Sequence, residues 1–305
     1  MDLIGRYEIS KILIETSFSV VYLARDPDLD RWVAVKLFRP KNKSGKDKAY
    51  SRNVWRDRFL REGKALARID HPRIVPVLDF GKVRGRPYFV MPFVKANLIY
   101  ELGQDLEDDE TEEELAESDR PRKLHPERAA FILQQTLEGL AHMHGHGMVH
   151  RDVKPGNILL TAKEGGSVKL CDFGMVKWGT FKASKSGVWI GSLDYIAPEQ
   201  RRSARDVDAR ADVYSAGAVA YRMLTGRLGV GSFKAPAERV KAVSTAFSDL
   251  VMAAMSPSRR DRPEDASVFL DRLKQVKAKG VVRGRKPVRV VRLKSQLKSQ
   301  VGAGG

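Results

Sequence analysis

A single cysteine, Cys171, stands in a chain of 305 residues, and no apolar run approaches the roughly 18 residues of a membrane span. One thiol excludes an internal disulfide framework and is typical of a reducing compartment. The N-terminus, MDLIGRYEIS, also lacks a cationic segment leading into an apolar one. The sequence therefore predicts a cytoplasmic chain with neither a transmembrane segment nor a secretory signal.

The whole chain carries a net charge of +17, but two stretches each lack charge of one sign. Residues 105–119 (DLEDDETEEELAESD) contain no basic residue, and residues 277–305 contain no acidic one. We predict a solvated acidic insertion at about 105–119 and a flexible basic tail at 277–305. The alternatives are that the insertion binds basic substrates or the chain's own tail, and that the tail binds an anionic partner such as nucleic acid.

Hydrophobic periodicity changes near residue 95. Before it, short strands separated by turns are expected at residues 7–13, 20–25, 32–38, 75–80 and 88–93, with one helix at about 55–69. After the acidic stretch the pattern becomes mainly helical, at residues 126–144, 209–224, 240–255 and 267–276. The fold class is therefore α+β, with a small β-rich lobe, a larger helical lobe and a cleft between them as the expected ligand site.

The string HRDVKPGN at residues 150–157, followed by Asp172-Phe173-Gly174, carries groups suited to phosphoryl transfer. Asp152 can accept the proton of an attacking hydroxyl, and Lys154 can reach the transferred phosphate. Asn157 and Asp172 supply oxygen atoms for a divalent metal ion. A histidine-arginine-aspartate triplet alone is a weak signal, whereas the complete string at this spacing is highly specific.

On these motifs the sequence resembles the Hanks-type (eukaryotic-like) serine/threonine protein kinases, and is most similar to bacterial members. The resemblance covers about residues 7–275, and implies an N-lobe at about 7–94 with one main helix and a C-lobe at about 95–275. It implies transfer of the γ-phosphate of ATP, with Mg²⁺ or alternatively Mn²⁺, to serine or threonine hydroxyls of protein substrates. It also implies that Asn157 and Asp172 bind the metal.

The same resemblance assigns nucleotide-binding residues. Lys36, in the string VAVK, should hold the α- and β-phosphates and pair with Glu62 on the following helix. The hinge that faces the adenine edge should comprise Met91, Pro92 and Val94. The adenine ring should lie between Val21, Ala34 and Leu159, although plain core packing explains these three residues equally well.

Other family features fall farther along the chain. GSLDYIAPEQ at residues 191–200 resembles the end of an activation segment, and Ser192 combined with Lys154 is the serine/threonine pattern. Ser184 and Ser186 are expected autophosphorylation sites. The resemblance also implies structural roles for Asp212, which should brace the catalytic loop, and for Arg262, the expected partner of Glu199.

The glycine-rich loop of the family is the one motif that is missing. Ile14, Thr16 and Ser19 occupy its three glycine positions, while Phe18 and Val21 keep the remaining pattern. Glycine allows backbone amides to approach phosphates and gives access to positive φ. Two interpretations stay open: an active kinase with altered ATP binding, or a pseudokinase scaffold that binds nucleotide weakly.

Overall fold

The structure is a computed structural model that describes residues 2–16, 18–40, 52–106, 111–161, 166–172, 194–202, 207–229, 231 and 233–284. Its N-terminal part is a six-stranded antiparallel sheet in the order β1-β2-β3-β4-β6-β5. The strands are β1 (Leu3–Ile4), β2 (Tyr7–Glu15), β3 (Ser19–Asp26), β4 (Arg31–Phe38), β5 (Asp79–Val83) and β6 (Arg86–Pro92).

Strand β4 is buried on both faces. Val33, Val35 and Leu37 pack in the core of the sheet, whereas Lys36 and Phe38 belong to the opposite face by the two-residue period of a strand. Phe38 joins a second apolar cluster shared with helix α1 (Arg52–Leu66). The sequence of β4 therefore carries Lys36 on the face that packs against this helix.

Helix α1 presents one side to the sheet. Phe59 and Leu66 are buried in the shared cluster, and Glu62 lies between them at helical spacing, with 7% of its surface exposed. The apolar period that anchors the helix thus turns a carboxylate inward. The helix ends at Leu66, three residues before the predicted end, because residues 67–69 continue only as hydrogen-bonded turns.

The C-terminal part is built around helix α5, whose residues from Ala211 to Leu224 are all buried. The elements here are β7 (Ala96–Asn97), α2 (Ile99–Leu102), α3 (Pro126–Gly145), β8 (Ile158–Leu160), β9 (Val168–Leu170), α4 (Pro198–Arg202), α5 (Ala209–Thr225), α6 (Pro236–Arg239), α7 (Thr245–Ala254) and α8 (Ala266–Lys279). A small sheet, β7-β8-β9, lies beside the catalytic loop. None of the helices within the described ranges is both long and apolar enough to cross a membrane.

Two predicted elements begin later than expected. The strand predicted at 75–80 starts at Asp79, because the backbone nitrogen of Val75 donates instead to the carbonyl of Leu170 on β9 at 2.9 Å. The helix predicted at 240–255 starts at Thr245, because the Ser244 hydroxyl caps it by accepting from the nitrogen of Phe247 at 3.3 Å. In both places a specific hydrogen bond overrides apolar periodicity.

The packed chain also extends beyond residue 276, where the sequence places the start of the tail. Helix α8 runs to Lys279, and Val281 is then buried while Val282 forms an antiparallel bridge with Val243. The flexible tail predicted from 277 is therefore wrong for residues 277–284, because two valines there complete the core. Residues 285–305 lie outside the described part.

Candidate active site

Lys36 connects three elements of the cleft. Its Nζ lies 2.8 Å from Oε1 of Glu62 on α1 and 2.5 Å from Oδ1 of Asp172, which follows β9. The Lys36 and Glu62 side chains are only 6% and 3% exposed, whereas Asp172 is 38% exposed. The Lys36 ammonium is thus held between two carboxylates, a buried one on Glu62 and a solvent-exposed one on Asp172.

Electrostatics keep this lysine charged. Burial alone lowers the pKa of Lys36, but the negative charges of Asp172 and Glu62 outweigh burial and raise it above its ordinary value. Burial raises the pKa of Glu62 and is opposed by the Lys36 charge. The fixed positive charge suits a site that receives phosphate oxygens.

The catalytic loop holds Asp152 from two sides. The Asn157 Nδ2 atom donates to the backbone carbonyl of Asp152 at 2.7 Å and to its Oδ2 at 3.0 Å. Lys154 Nζ lies 3.1 Å from the same Oδ2. A short 3-10 turn at Pro155–Asn157 produces this convergence. The structure thus brings the three residues predicted from HRDVKPGN together at one carboxylate.

Asp212 supports the loop from beneath. Its buried carboxylate accepts hydrogen bonds from the backbone nitrogens of His150 and Arg151, each at 2.7 Å, and lies 2.9 Å from Nε2 of His144. Burial would raise the pKa of Asp212, but its hydrogen bonds from His144 and from the backbone nitrogen of Arg151 lower it. These bonds hold Arg151 at a φ of 68°, a strained value for a side-chain-bearing residue.

His144 is a contributor that sequence reasoning missed. Its Nδ1 accepts from the backbone nitrogen of Ala266 at 3.1 Å, so Nε2 carries the proton that is donated to Asp212. The ring therefore joins α3 to the start of α8 and, through Asp212, to the catalytic loop. The sequence places a histidine at the end of a helix, but the two partners are distant in the chain, so only the structure reveals the role.

The donor set fits Mg²⁺. Because the Asn157 amide nitrogen is directed to Asp152, its Oδ1 is the acceptor that the amide retains. The Cys171 nitrogen donates to the Asn157 carbonyl at 3.1 Å, which brings the chain segment carrying Asp172 beside Asn157. One amide oxygen and one carboxylate are oxygen ligands of the kind that Mg²⁺ takes alongside water and phosphate.

Two of the predicted adenine-binding residues, Val21 and Ala34, lie on the same face of the sheet as Lys36. Val21 pairs with Lys36, and Ala34 pairs with Met91 of β6, so Val21 and Ala34 share the Lys36 face. Pro92 ends β6, and Val94 lies in the connection to β7. Leu159 on β8 pairs with Asn97 on β7. Met91 also packs in the α1 cluster, so core packing accounts for part of its environment.

The glycine-free loop forms a turn stabilised by Thr16. The hydroxyl Oγ1 of Thr16 accepts from the backbone nitrogens of Phe18 at 3.3 Å and Ser19 at 3.1 Å, and the Thr16 nitrogen donates to the Ser19 carbonyl at 2.9 Å. The described loop residues Ile14, Thr16, Phe18 and Ser19 have no positive φ. These four residues therefore need no glycine, and the Thr16 hydroxyl already accepts hydrogen bonds from two of the loop amides.

The loop is also attached to helix α1 by its aromatic tip. The Phe18 ring stacks on Trp55 with centroids 3.6 Å apart and planes 19° from parallel. Both rings pack against the cluster that contains Phe59 and Phe89. The nitrogen of Arg39, just after β4, donates to the Phe18 carbonyl at 2.8 Å. Movement of the loop is therefore linked to the helix that carries Glu62.

The pairing of Arg262 with Glu199 that the family resemblance implies is present. Arg262 binds Glu199 through both guanidinium ends, with Nη1 to Oε1 at 2.6 Å and Nη2 to Oε2 at 2.9 Å. In the same segment, Gln200 Nε2 donates to the carbonyl of Arg151 at 3.1 Å. Residues 194–202 are thereby fixed to the catalytic loop. The sites predicted at Ser184, Ser186 and Ser192 lie outside the described residues.

The arrangement of a β-rich and a helical lobe around charged residues in the cleft has a counterpart among solved kinase domains. The kinase domain of Mycobacterium tuberculosis PknI superposes with a TM-score of 0.62 at 24% sequence identity, covering 90% of this chain and 97% of the other. The fold class predicted from the sequence is therefore confirmed.

A family model described as a protein kinase domain matches residues 7–279, and the chain belongs to that family. Among curated proteins, it is 39% identical over 228 residues to the DNA damage-responsive serine/threonine-protein kinase RqkA of Deinococcus radiodurans, covering 73% of this chain and 30% of RqkA. It is 35% identical over 272 residues to the serine/threonine-protein kinase PknB of Mycobacterium leprae, covering 87% and 38%. The chain thus spans only about a third of the length of these relatives, and the predicted resemblance to bacterial members is confirmed.

Proposed function

We propose that this chain is a serine/threonine protein kinase that transfers the γ-phosphate of ATP to protein hydroxyls. The observation that carries the proposal is the position of Lys36 Nζ, 2.8 Å from Glu62 and 2.5 Å from Asp172, in the same cleft as Asp152. The lysine binds phosphate oxygens, and Glu62 sets its direction. Family membership and the bacterial relatives support the same assignment.

Asp152 is the proposed base. Its Oδ2 is fixed by Asn157 and Lys154, so the carboxylate is oriented before an acceptor arrives. The O–H bond of the serine or threonine breaks as its proton moves to Asp152. The hydroxyl oxygen then bonds to the γ-phosphorus, and the bond to the ADP oxygen breaks. Lys154 stabilises charge on the transferred group.

Asn157 Oδ1 and the Asp172 carboxylate are the proposed metal ligands. A bound Mg²⁺ would neutralise charge on the ATP phosphates. Asp172 contacts Lys36 in this structure, so its Oδ1 is positioned by the residue that holds the phosphates. Mn²⁺ offers similar oxygen coordination, and we propose Mg²⁺ as the ordinary ion because the two oxygen donors and open solvent side suit its preference for retained water.

The adenine is proposed to lie between Val21, Ala34 and Leu159, against the backbone of Met91, Pro92 and Val94. The Thr16 turn bears on affinity rather than on chemistry. The Thr16 hydroxyl accepts from two loop amides. The residues expected to carry the chemistry, Lys36, Asp152 and Asp172, are all present. We therefore favour an active enzyme with weakened phosphate contacts over a pseudokinase scaffold.

Autophosphorylation at Ser184 and Ser186 is proposed from the sequence alone. Mass spectrometry after incubation with Mg-ATP would test it, because an active preparation with both serines unmodified contradicts it.

Charge supports a further proposal, that the basic residues after Gly284 contact the acidic segment 105–119. Deleting residues 285–305 should then change the salt dependence of activity. If the tail binds nucleic acid instead, added nucleic acid should change the salt dependence of the full chain.

The test of the main proposal is phosphate transfer from labelled ATP to myelin basic protein with Mg²⁺ or Mn²⁺. Asp152→Asn should lower the rate by at least about a hundredfold, because the oriented base is lost while the size of the side chain is kept. Asp249→Asn, a change of the same kind on helix α7, is the control and should leave the rate unchanged. Absence of transfer by the wild type, or equal transfer by Asp152→Asn, would refute the proposal.

A further inference from the structure

Arg222 is a fully buried cation in the last turn of helix α5, with 1% of its surface exposed. Its Nε lies 2.5 Å from Oδ1 of Asp105, the first carboxylate of the acidic segment. Its remaining nitrogens donate to the backbone carbonyls of Leu102 and Gln104, each at 3.1 Å, and of Arg122 at 3.0 Å. Burying a guanidinium costs much desolvation energy unless its nitrogens are hydrogen-bonded, and all three nitrogens of Arg222 are.

These contacts close the base of the acidic segment. The Gln104 nitrogen donates to the Asp119 carbonyl at 2.7 Å, and the Arg122 nitrogen donates to the Leu102 carbonyl at 2.6 Å. Gly103 has a φ of 72°, and a Cβ there would lie 2.0 Å from the carbonyl oxygen of Arg120. The segment therefore leaves and re-enters the fold at a rigid neck. Asp105 belongs to this neck and is not a solvated charge, contrary to the sequence prediction for the insertion.

The other oxygen of Asp105 reaches residues 194–202, in the segment that resembles the end of an activation segment. The hydroxyl of Tyr195 donates to Asp105 Oδ2 at 2.8 Å, and the tyrosine is 3% exposed. Burial and the neighbouring Asp105 charge raise the pKa of Tyr195, so the hydroxyl stays protonated and remains a donor. Asp105 thus joins α5 to Tyr195 through one carboxylate.

The segment that begins at Tyr195 also contacts the catalytic loop. Gln200 binds the carbonyl of Arg151, the residue before Asp152, and Glu199 binds Arg262. Residues 194–202 are thus held beside Asp152, where an acceptor hydroxyl would react. The position of Tyr195 can therefore affect how an acceptor chain is bound, whereas most of the proposed ATP-binding residues lie on β3, β4 and β6.

We propose that Asp105 and Arg222 are positioning residues that fix Tyr195 and so shape the binding surface for the acceptor polypeptide. This inference rests on the proposed kinase function and assigns a part in it to the acidic segment. The segment contributes through one partly buried carboxylate at its neck, independently of the charge that it exposes.

The test measures KM for myelin basic protein and KM for ATP separately in the full chain. Tyr195→Phe removes only the hydroxyl and should raise the acceptor KM about three- to tenfold, the effect of one lost hydrogen bond, with the ATP KM unchanged. Asp105→Asn should raise it in the same direction, and the double variant should show less than the sum of the two effects. Glu117→Gln, which removes an exposed charge of the same segment, should leave both constants unchanged.

A merely structural role would lower the folded fraction, and hence the apparent kcat, without separating the two KM values. Unchanged acceptor KM in Tyr195→Phe would overturn the inference while the wild type remained active. An equal rise in Glu117→Gln would also overturn it, because the effect would then be one of overall charge. If the wild type transfers no phosphate with either metal, the proposed function fails and this inference fails with it.

Discussion

Lys36 on β4 and Glu62 on α1 form an ion pair with 2.8 Å between Nζ and Oε1, in a place where both side chains are nearly inaccessible to water. Asp172 competes for the same ammonium at 2.5 Å. The lysine is therefore held between a residue that orients it and a residue that we expect to bind metal. Removing the orienting partner should shift the lysine toward Asp172.

Glu62→Gln should accordingly lower kcat/KM about tenfold to a hundredfold, because the amide keeps the size of the carboxylate but loses the charge-assisted bond. The measurement is steady-state phosphate transfer over a range of ATP concentrations. Asp57→Asn changes an exposed acid on the same helix and should have no effect. Equal activity of wild type and Glu62→Gln would show that the pair does not orient Lys36.

Thr16→Ala should strengthen ATP binding. Loss of the hydroxyl frees the nitrogens of Phe18 and Ser19 to donate to phosphates, and each gained bond is worth about 0.5–1.5 kcal/mol. For two gained bonds we expect the dissociation constant for ATP, measured by calorimetry, to fall about five- to 150-fold. Thr16→Ser retains the hydroxyl and should bind ATP as the wild type does. Weaker binding by Thr16→Ala would mean that the turn supports the nucleotide rather than competing for the amides.

The stack of Phe18 on Trp55 should contribute measurably to stability. Phe18→Ala removes the ring contact, and we expect the free energy of unfolding in urea to fall by about 1–2 kcal/mol. Trp55→Phe preserves an aromatic pair and should lose less than half as much. The tryptophan emission of Phe18→Ala should also shift to longer wavelength, since Trp55 gains contact with water. An unchanged unfolding midpoint would show that the stack is energetically neutral.

Stability should decrease as the pH falls below about 6.5, the ordinary histidine pKa. His150 is completely buried, and burial lowers its pKa in the folded chain. Below the ordinary value the unfolded chain therefore binds more protons than the folded chain, and acid favours unfolding by up to about 1.4 kcal/mol per pH unit.

His150→Asn removes this titration while keeping an acceptor for the Asp152 nitrogen, which donates to His150 Nδ1 at 3.3 Å. Its unfolding free energy, measured between pH 5.5 and 7.5 by denaturant titration, should show a shallower slope than the wild type. His146→Asn alters an exposed histidine and should leave the slope unchanged. Identical slopes for wild type and His150→Asn would rule out His150 as the source.

The sequence was most informative where neighbouring residues act together. Asp152, Lys154 and Asn157 lie within six positions, so one short turn brings them to the same carboxylate, and their types are dictated by the chemistry. Lys36 was predictable because the string VAVK on a predicted strand matches the motif of the kinase family. These residues are placed by local structure, and local structure is what apolar periodicity predicts.

Contacts across long separations were predictable only where the family resemblance names both partners, as it does for Glu199 and Arg262. Phe18 meets Trp55 only after two strands and a helix have packed, and Tyr195 meets Asp105 across 90 positions. Periodicity also placed the start of strand β5 too early, because the nitrogen of Val75 donates to the carbonyl of Leu170 and the regular strand begins only at Asp79. Strands of two or three residues, such as β7, are too short to give a periodic signal.

The bridge between Val243 and Val282 has a consequence for the residues that follow. The nitrogen of Ser244 donates to the carbonyl of Val281, and the nitrogen of Arg283 donates to that of Ala242, each at 2.9 Å. The chain after Gly284 therefore departs from a fixed point beside helix α7. With 21 residues from 285 to 305, fully extended backbone reaches at most about 75 Å from that point. The bridge thus sets the origin, and the residue count sets the radius, of the sphere within which the basic side chains can find a partner.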